Sequence, residues 1–234
     1  MFENAKTAFL FGGIFMFVVA YLWEGYLPLS HLNEMKVETM EELTADVLPE
    51  FEELAEVYPK EFKEYYGEPT SEAMAEALIL GKKVYTQEAC WHCHSQFIRP
   101  VSNEATRYGP VSLAKEYSNE MNYPHLFGTR RVGPDLIREN GKHSNDWHVA
   151  HFYNPQMVVP VSVMPAYVWL YDETVDPPVP NKKGMAIITY VQWLGSWLNK
   201  DGNKLNNTGK APLADEIETE TDKKLAELQN GDSK

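Results

Sequence analysis

Cys90-Trp91-His92-Cys93-His94 is the stretch on which the reading of this chain turns. Two thiols separated by two residues, with a histidine directly after the second, form the attachment signal of a c-type haem. Each part has a chemical reason. The thiols add to the two vinyl groups of a porphyrin and form thioethers. The two intervening residues let both sulfurs reach the same porphyrin edge. The next residue then lies beneath the iron, where the His94 imidazole serves as proximal ligand. A structural zinc site fits less well, because Cys90 and Cys93 are the only cysteines in the chain and tetrahedral sites need four ligands. With two cysteines a disulfide-stapled scaffold is excluded as well.

On either side of the motif lie two helical patterns. Upstream, Thr70 or Ser71 can cap a helix through Ala73, Ala77, Leu78 and Leu80, continuing through Gly81 and Tyr85 to just before Cys90. Downstream, Lys183 to Trp197 places Ile187, Tyr190, Val191, Leu194, Trp197 and Leu198 on one face. Gly81 and Tyr85 against Tyr190 and Leu194 resemble the contact at which the first and last helices of class I cytochromes c cross. The expected fold is therefore all-α, a class I cytochrome c-like helical domain behind one N-terminal transmembrane helix. In such domains a Gly-Pro-x-Leu turn offers a backbone carbonyl to the proximal histidine. By that resemblance the Pro134 carbonyl, in Gly133-Pro134-Asp135-Leu136, accepts from His94 Nδ1–H and fixes its tautomer. The sixth ligand is expected to be Met164, followed by Pro165 and placed before the last helix, with Met157 and Met121 as alternatives. A thioether ligand raises the potential relative to a second imidazole. Most of His92, His125, His143, His148 and His151 read as surface or hydrogen-bonding residues; His148 and His151 are spaced i, i+3, but a second metal site on that pair is disfavoured.

The N-terminal anchor is read from Thr7 to Trp23, which is 17 residues without a charge. That length is near the lower limit for crossing a bilayer. Tyr21, Trp23 and Tyr26 cluster at one end, as an interfacial belt does. One transmembrane helix is expected from roughly Lys6 to Leu27. A cleaved signal peptide is disfavoured by the bulky aromatics and Glu24 where a small-residue cleavage site belongs.

The formal net charge is −13, which argues against a nucleic-acid partner. Its distribution is uneven: residues 31–80 carry net −11, whereas residues 81–200 carry net +2. Within the acidic block Leu43, Val47, Leu48, Phe51, Leu54 and Val57 recur at helical spacing, and Thr39 with Glu42 makes a capping box. Pro49 predicts two short helices or one kinked helix there. The expected organisation is a 1–30 anchor, a 31–69 acidic helical insertion or spacer, a 70–200 haem domain and a 201–234 polar tail. A docking surface for a basic redox partner or a neighbouring subunit is the sharper reading of the acidic block.

Several segments in order are more specific than a generic cytochrome: ACWHCHSQFIRP from Ala89, ATRYG from Ala105, LFGTRRVGPDL from Leu126, SNDWHVAHFYNP from Ser144 and VVPVSVMPAY from Val158. Together they resemble the mono-haem cytochrome c subunit, subunit II, of cbb3-type cytochrome c oxidases. The resemblance covers about residues 81–171 and the anchor. It implies one covalently bound haem c and an electron relay to a catalytic haem-copper oxidase subunit that reduces oxygen to water. The donor it implies is a di-haem cytochrome c subunit or a soluble cytochrome c. This chain has no oxygen-reducing centre in its own sequence, so catalytic residues are not expected in it. Haem c is attached outside the cytoplasm, so the resemblance places the haem domain on the periplasmic face of a bacterial inner membrane, with the N-terminus inside. Haem propionates need cationic donors, and at least one of Arg99, Arg107, Arg130 and Arg131 is expected to serve them. A free-standing membrane-anchored cytochrome and the cytochrome subunit of a nitric oxide reductase are the rival functions.

Overall fold

A computed structural model describes residues 2–199. The 201–234 tail lies outside the described residues, as does the Leu198 side chain. The fold is mostly helical. Helix α1 (Phe2–Ala20) runs through a π-helical turn (Tyr21–Tyr26) into α2 (Leu27–Asn33). Short helices α3 (Met40–Thr44), α4 (Pro49–Val57) and α5 (Pro59–Tyr65) follow, then the long α6 (Ser71–Gln87). The haem-motif turn is α7 (Cys90–Cys93), and α8 (Glu104–Tyr108) comes next. Helix α9 (Asn145–Tyr153) leads to a small antiparallel pair, β1 (Tyr171–Asp172) and β2 (Val179–Pro180), in the register Tyr171↔Pro180. The last long helix is α10 (Lys182–Trp193).

The N-terminal helix is long and apolar enough to cross a membrane. Its span is 30 residues, Asn4–Asn33, with none of its apolar window covered by the rest of the chain. Phe9, Phe11, Phe15 and Phe17 are exposed. The helix continues beyond the expected end at Leu27. Pro28 lies in the first turn of α2, where a missing N–H costs least, and the Leu27 N–H donates to Leu22 O across the π-helical turn.

Helices α6 and α10 form the centre of the domain. Thr70 Oγ1 accepts from Ala73 N–H at the start of α6, and Asn181 Oδ1 accepts from Lys183 and Gly184 N–H at the start of α10. The buried stripe of α6 is Ala73, Met74, Ala77, Leu78, Gly81, Val84 and Tyr85, a three- and four-residue spacing that gives one apolar face. The crossing is so close that a Cβ on Gly81 would lie 2.6 Å from Tyr190 Cβ and collide with the Ala186 carbonyl. Tyr85 meets Tyr190 edge-on, with ring centroids 5.4 Å apart. The last helix ends at Trp193 rather than Trp197. Gly195 has φ +93°, a left-handed conformation that stops the helix, and Trp197 returns in a 3₁₀ turn to pack on Trp193 at 4.3 Å.

The acidic block is not a free spacer. Of the two arrangements expected about Pro49, two short helices form rather than one kinked helix, α3 before it and α4 beginning at it, and Pro59 begins a third, α5. Their apolar sides enter the same core as α6 and α10: Phe51, Leu54 and Phe62 are at most 1% exposed. Phe51 and Phe62 pack edge-on at 4.9 Å, and Tyr66 donates to Lys182 O at the start of α10. Most of the carboxylates are exposed, although Glu50 is half-buried, and Val57, expected on the apolar face, is 50% exposed. The Thr39–Glu42 capping box forms as read from the sequence.

Candidate haem-binding site

The site begins where α6 ends. Ala89 adopts φ 56°, which turns the chain sharply into the single turn of α7. That turn places Cys90 inward, 7% exposed, and Cys93 outward, both as free thiols. Burial pushes the Cys90 thiol up to about 12, so it is held protonated, with Tyr167 packed beside it. His94 leaves the turn with its N–H donating to Cys90 O at 2.8 Å.

The imidazole of His94 is fixed on two sides. Its Nδ1 lies 3.0 Å from Pro134 O, which makes Nδ1–H the donor and leaves Nε2 with its lone pair. A Cβ on Gly133 would stand 2.6 Å from both ring nitrogens, so only glycine lets the ring lie against this backbone. The turn is stitched to the motif by Gly133 N–H to Cys93 O and Leu136 N–H to Ser95 O, each 3.0 Å. From the helix crossing, Tyr85 OH donates to His94 O at 2.7 Å. Burial is the first cause that lowers the His94 pKa, so a neutral, metal-ready imidazole is favoured. His151 is near enough to interact electrostatically with His94, and its Nδ1 is buried without a protein partner.

The three candidate methionines occupy different settings. Met164 is half-buried against the core, on the loop before β1, with its N–H donating to Ser162 Oγ. Met157 is 64% exposed. Met121 is 4% exposed, and its carbonyl accepts from Lys82 Nζ.

The arginines divide in a way the sequence did not show. Arg99 and Arg131 both pair with the buried Glu104. Arg131 also donates to Asp135 Oδ2 at 2.9 Å and to Phe97 O, so its donors are engaged within the chain. Hydrogen bonding from Arg131 is the leading cause that lowers the Glu104 carboxyl to about 2. Arg138, not singled out by sequence, pairs with Glu116 and donates to Pro110 O at 2.6 Å. Arg107 and Arg130 are exposed, with the Arg107 guanidinium 4.8 Å from the centroid of the Tyr108 ring. A second group also escaped sequence reading: Glu139, His143 and His148 offer donor atoms that all lie within 4.8 Å of one another. The i, i+4 spacing of Glu139 and His143 was the available signal.

The residues fit a haem. A neutral imidazole with one nitrogen committed and the other free follows a turn bearing two thiols, and a glycine keeps the ring's face clear. A helical domain built on a Gly–aromatic crossing, behind a membrane-length helix, defines the class as a membrane-anchored cytochrome. A family model described as cytochrome c oxidase, mono-heme subunit/FixO, matches residues 51–230. The chain belongs to that family, the mono-haem subunit II of cbb3-type oxidases. No individual curated protein matches at a significant level. The family match begins inside α4 and takes in α5 and most of the 201–234 tail, all outside the stretch covered by the motif resemblance. As a mono-haem subunit of a cytochrome c oxidase, the chain functions beside a catalytic partner and takes part in electron transport.

Proposed function

We propose that this subunit relays single electrons through one haem c held covalently by Cys90 and Cys93, toward a catalytic haem-copper subunit that reduces oxygen to water. His94 Nε2 and Met164 Sδ are the iron ligands in this reading. A di-haem cytochrome c subunit or a soluble cytochrome c is the donor. The haem domain stands on the periplasmic side of a bacterial inner membrane. When bound, the haem supplies one-electron chemistry at its iron. The chain's own residues supply the rest. Pro134 O holds the proton on Nδ1, so the free nitrogen is always Nε2. Gly133 keeps the ring face clear, and Tyr85 anchors the carbonyl of the ligand residue itself. Such a clamp keeps the ligand geometry constant between oxidation states, which favours fast electron transfer over substrate binding.

The observation that carries the reading is the 3.0 Å contact between His94 Nδ1 and Pro134 O directly after the Cys-Trp-His-Cys turn. The test is Met164→Ala in the purified oxidase complex. Loss of the thioether-to-iron absorption band with a lowered potential, while haem stays attached and the catalytic subunit still co-purifies, is the expected result. An unchanged spectrum moves the ligand to Met157 or Met121. Haem released by denaturing acid extraction would sink covalent attachment.

A further inference from the structure

We infer that Glu139, His143 and His148 form a second metal site, separate from the iron ligands, for a divalent borderline cation of the zinc type. Their donor atoms lie within 4.8 Å of one another, a separation that small side-chain movements close to the spacing of ligands around one ion. Two imidazoles and one carboxylate suit Zn²⁺ better than Ca²⁺ or Mg²⁺, which prefer all-oxygen shells.

The surroundings set these residues apart from an incidental cluster. Glu139 is 3% exposed and His148 is 2% exposed. His148 Nε2 is buried and has no hydrogen-bond partner, an expensive state for a polar atom that a bound cation relieves. Burial is the main cause that lowers the His148 pKa to about 3, with His143 and His151 adding to it, so its lone pair is free at neutral pH. His143 Nδ1 lies 2.5 Å from Glu139 Oε1, and Lys142 Nζ lies 3.7 Å from Glu139 Oε2. The Lys142 ammonium lies near the place a cation would take and weakens the site without filling it. Trp147 stacks on His143 at 3.8 Å and holds that ring in place. The side chain of His143 is 39% exposed, which gives an ion a way in and leaves room for a water as fourth ligand.

The position suggests what such an ion does. Glu139 and His143 belong to the irregular chain that leaves the Gly133-Pro134 turn, and His148 is on α9. A cation bound here ties the segment carrying the His94 carbonyl partner to the helix that precedes the Met164 loop. Its role is therefore structural, as a clip between two segments of the site.

The test uses the full-length, haem-bearing chain in detergent, incubated with Zn²⁺ and passed over a chelating resin. Zinc per chain is read by mass spectrometry, and ligand type by zinc-edge X-ray absorption. The wild type should retain a single zinc with nitrogen and oxygen neighbours at about 2.0–2.1 Å. Glu139→Gln and His143→Gln should each weaken retention at least tenfold with the visible haem spectrum unchanged. Three results would overturn the inference: background zinc in the wild type, equal zinc in wild type and both variants, or a sulfur shell placing the ion on cysteine. A haem potential that shifts in His143→Gln with zinc unaltered would assign these side chains to the haem instead.

Discussion

Two regions of this domain are built on opposite principles, and both end on His94. The α6–α10 crossing is dry and apolar, with glycine against backbone and tyrosine against tyrosine. The shell from Ser95 to Lys142 has little regular structure, yet it buries Glu104, Glu116, Asp135 and Glu139 at 2–6% exposure. Arginines, rather than helix packing, hold much of that shell together. The crossing follows from local periodicity. The shell follows from single pairings that no repeating pattern announces, such as Glu104 with Arg131 and Glu116 with Arg138. Apolar packing tolerates conservative change, whereas a buried charge left alone is punished heavily.

The largest effect should therefore come from the irregular shell. Arg131→Met leaves Glu104 and Asp135 buried with their main counter-charge gone; their side chains are 6% and 1% exposed. A loss of about 4 kcal/mol in denaturant unfolding is expected. A loss below about 1 kcal/mol would show that the network is not the mainstay of this region. Gly81→Ala in the crossing comes next. The new methyl has no room beside the Ala186 carbonyl and Tyr190, so about 2–3 kcal/mol should be lost through forced separation of the helices. If Gly81→Ala costs more than Arg131→Met, the ranking of the two regions is reversed.

Acid separates the regions in another way. The Glu104 carboxyl is lowered to about 2, against an ordinary value of 4.5. A depressed carboxylate pKa means stabilisation that is full above about 4.5 and is lost as pH falls toward 2. The stability gap between wild type and Glu104→Gln should be widest at neutral pH and narrow below about 4.5. The Gly81→Ala gap has no titrating group behind it and should stay nearly constant over the same range. Parallel thermal melts of the three proteins from pH 7 to pH 3 check this. A Glu104→Gln gap that does not narrow would contradict the assignment of that carboxylate to the arginine network.

The same contrast explains what was legible beforehand. Periodicity and caps give the α6 start at Thr70 or Ser71 and the Thr39–Glu42 box, because each is a short-range pattern, whereas the Gly81–Tyr190 contact is legible only through the resemblance to class I cytochromes c. The motif and the Gly-Pro turn gave the neighbourhood of His94. In the acidic block the apolar stripe through Phe51 and Leu54 is legible as spacing, but spacing does not say what it packs against, and Phe62 lies outside that stripe; all three belong to the core. Charge type singles out Arg99, Arg107, Arg130 and Arg131 but does not reveal that Arg99 and Arg131 meet Glu104. The end of the last helix is not legible from spacing, because Leu194 and Trp197 continue the helical stripe across Gly195, whose left-handed conformation is what turns Trp197 back onto Trp193.

Tyr85 gives the smallest and most discriminating change, because it belongs to both regions. Its ring is part of the crossing, 1% exposed and edge-on to Tyr190. Its hydroxyl donates to the backbone carbonyl of His94 at 2.7 Å. Tyr85→Phe keeps the ring and removes only the hydrogen bond, so the crossing should survive with a stability loss of about 1 kcal/mol. The consequence should appear at the site: the haem midpoint potential and the reduced spectrum should shift, because the proposed ligand residue loses one of its tethers. Tyr190→Phe is the matched control. Its hydroxyl accepts from Gln96 Nε2 at 3.0 Å and makes no contact with His94, so a similar stability loss should come with little spectral change. Equal spectral shifts in the two variants would mean that the crossing moves as a body and that the Tyr85 hydrogen bond has no separate hold on His94.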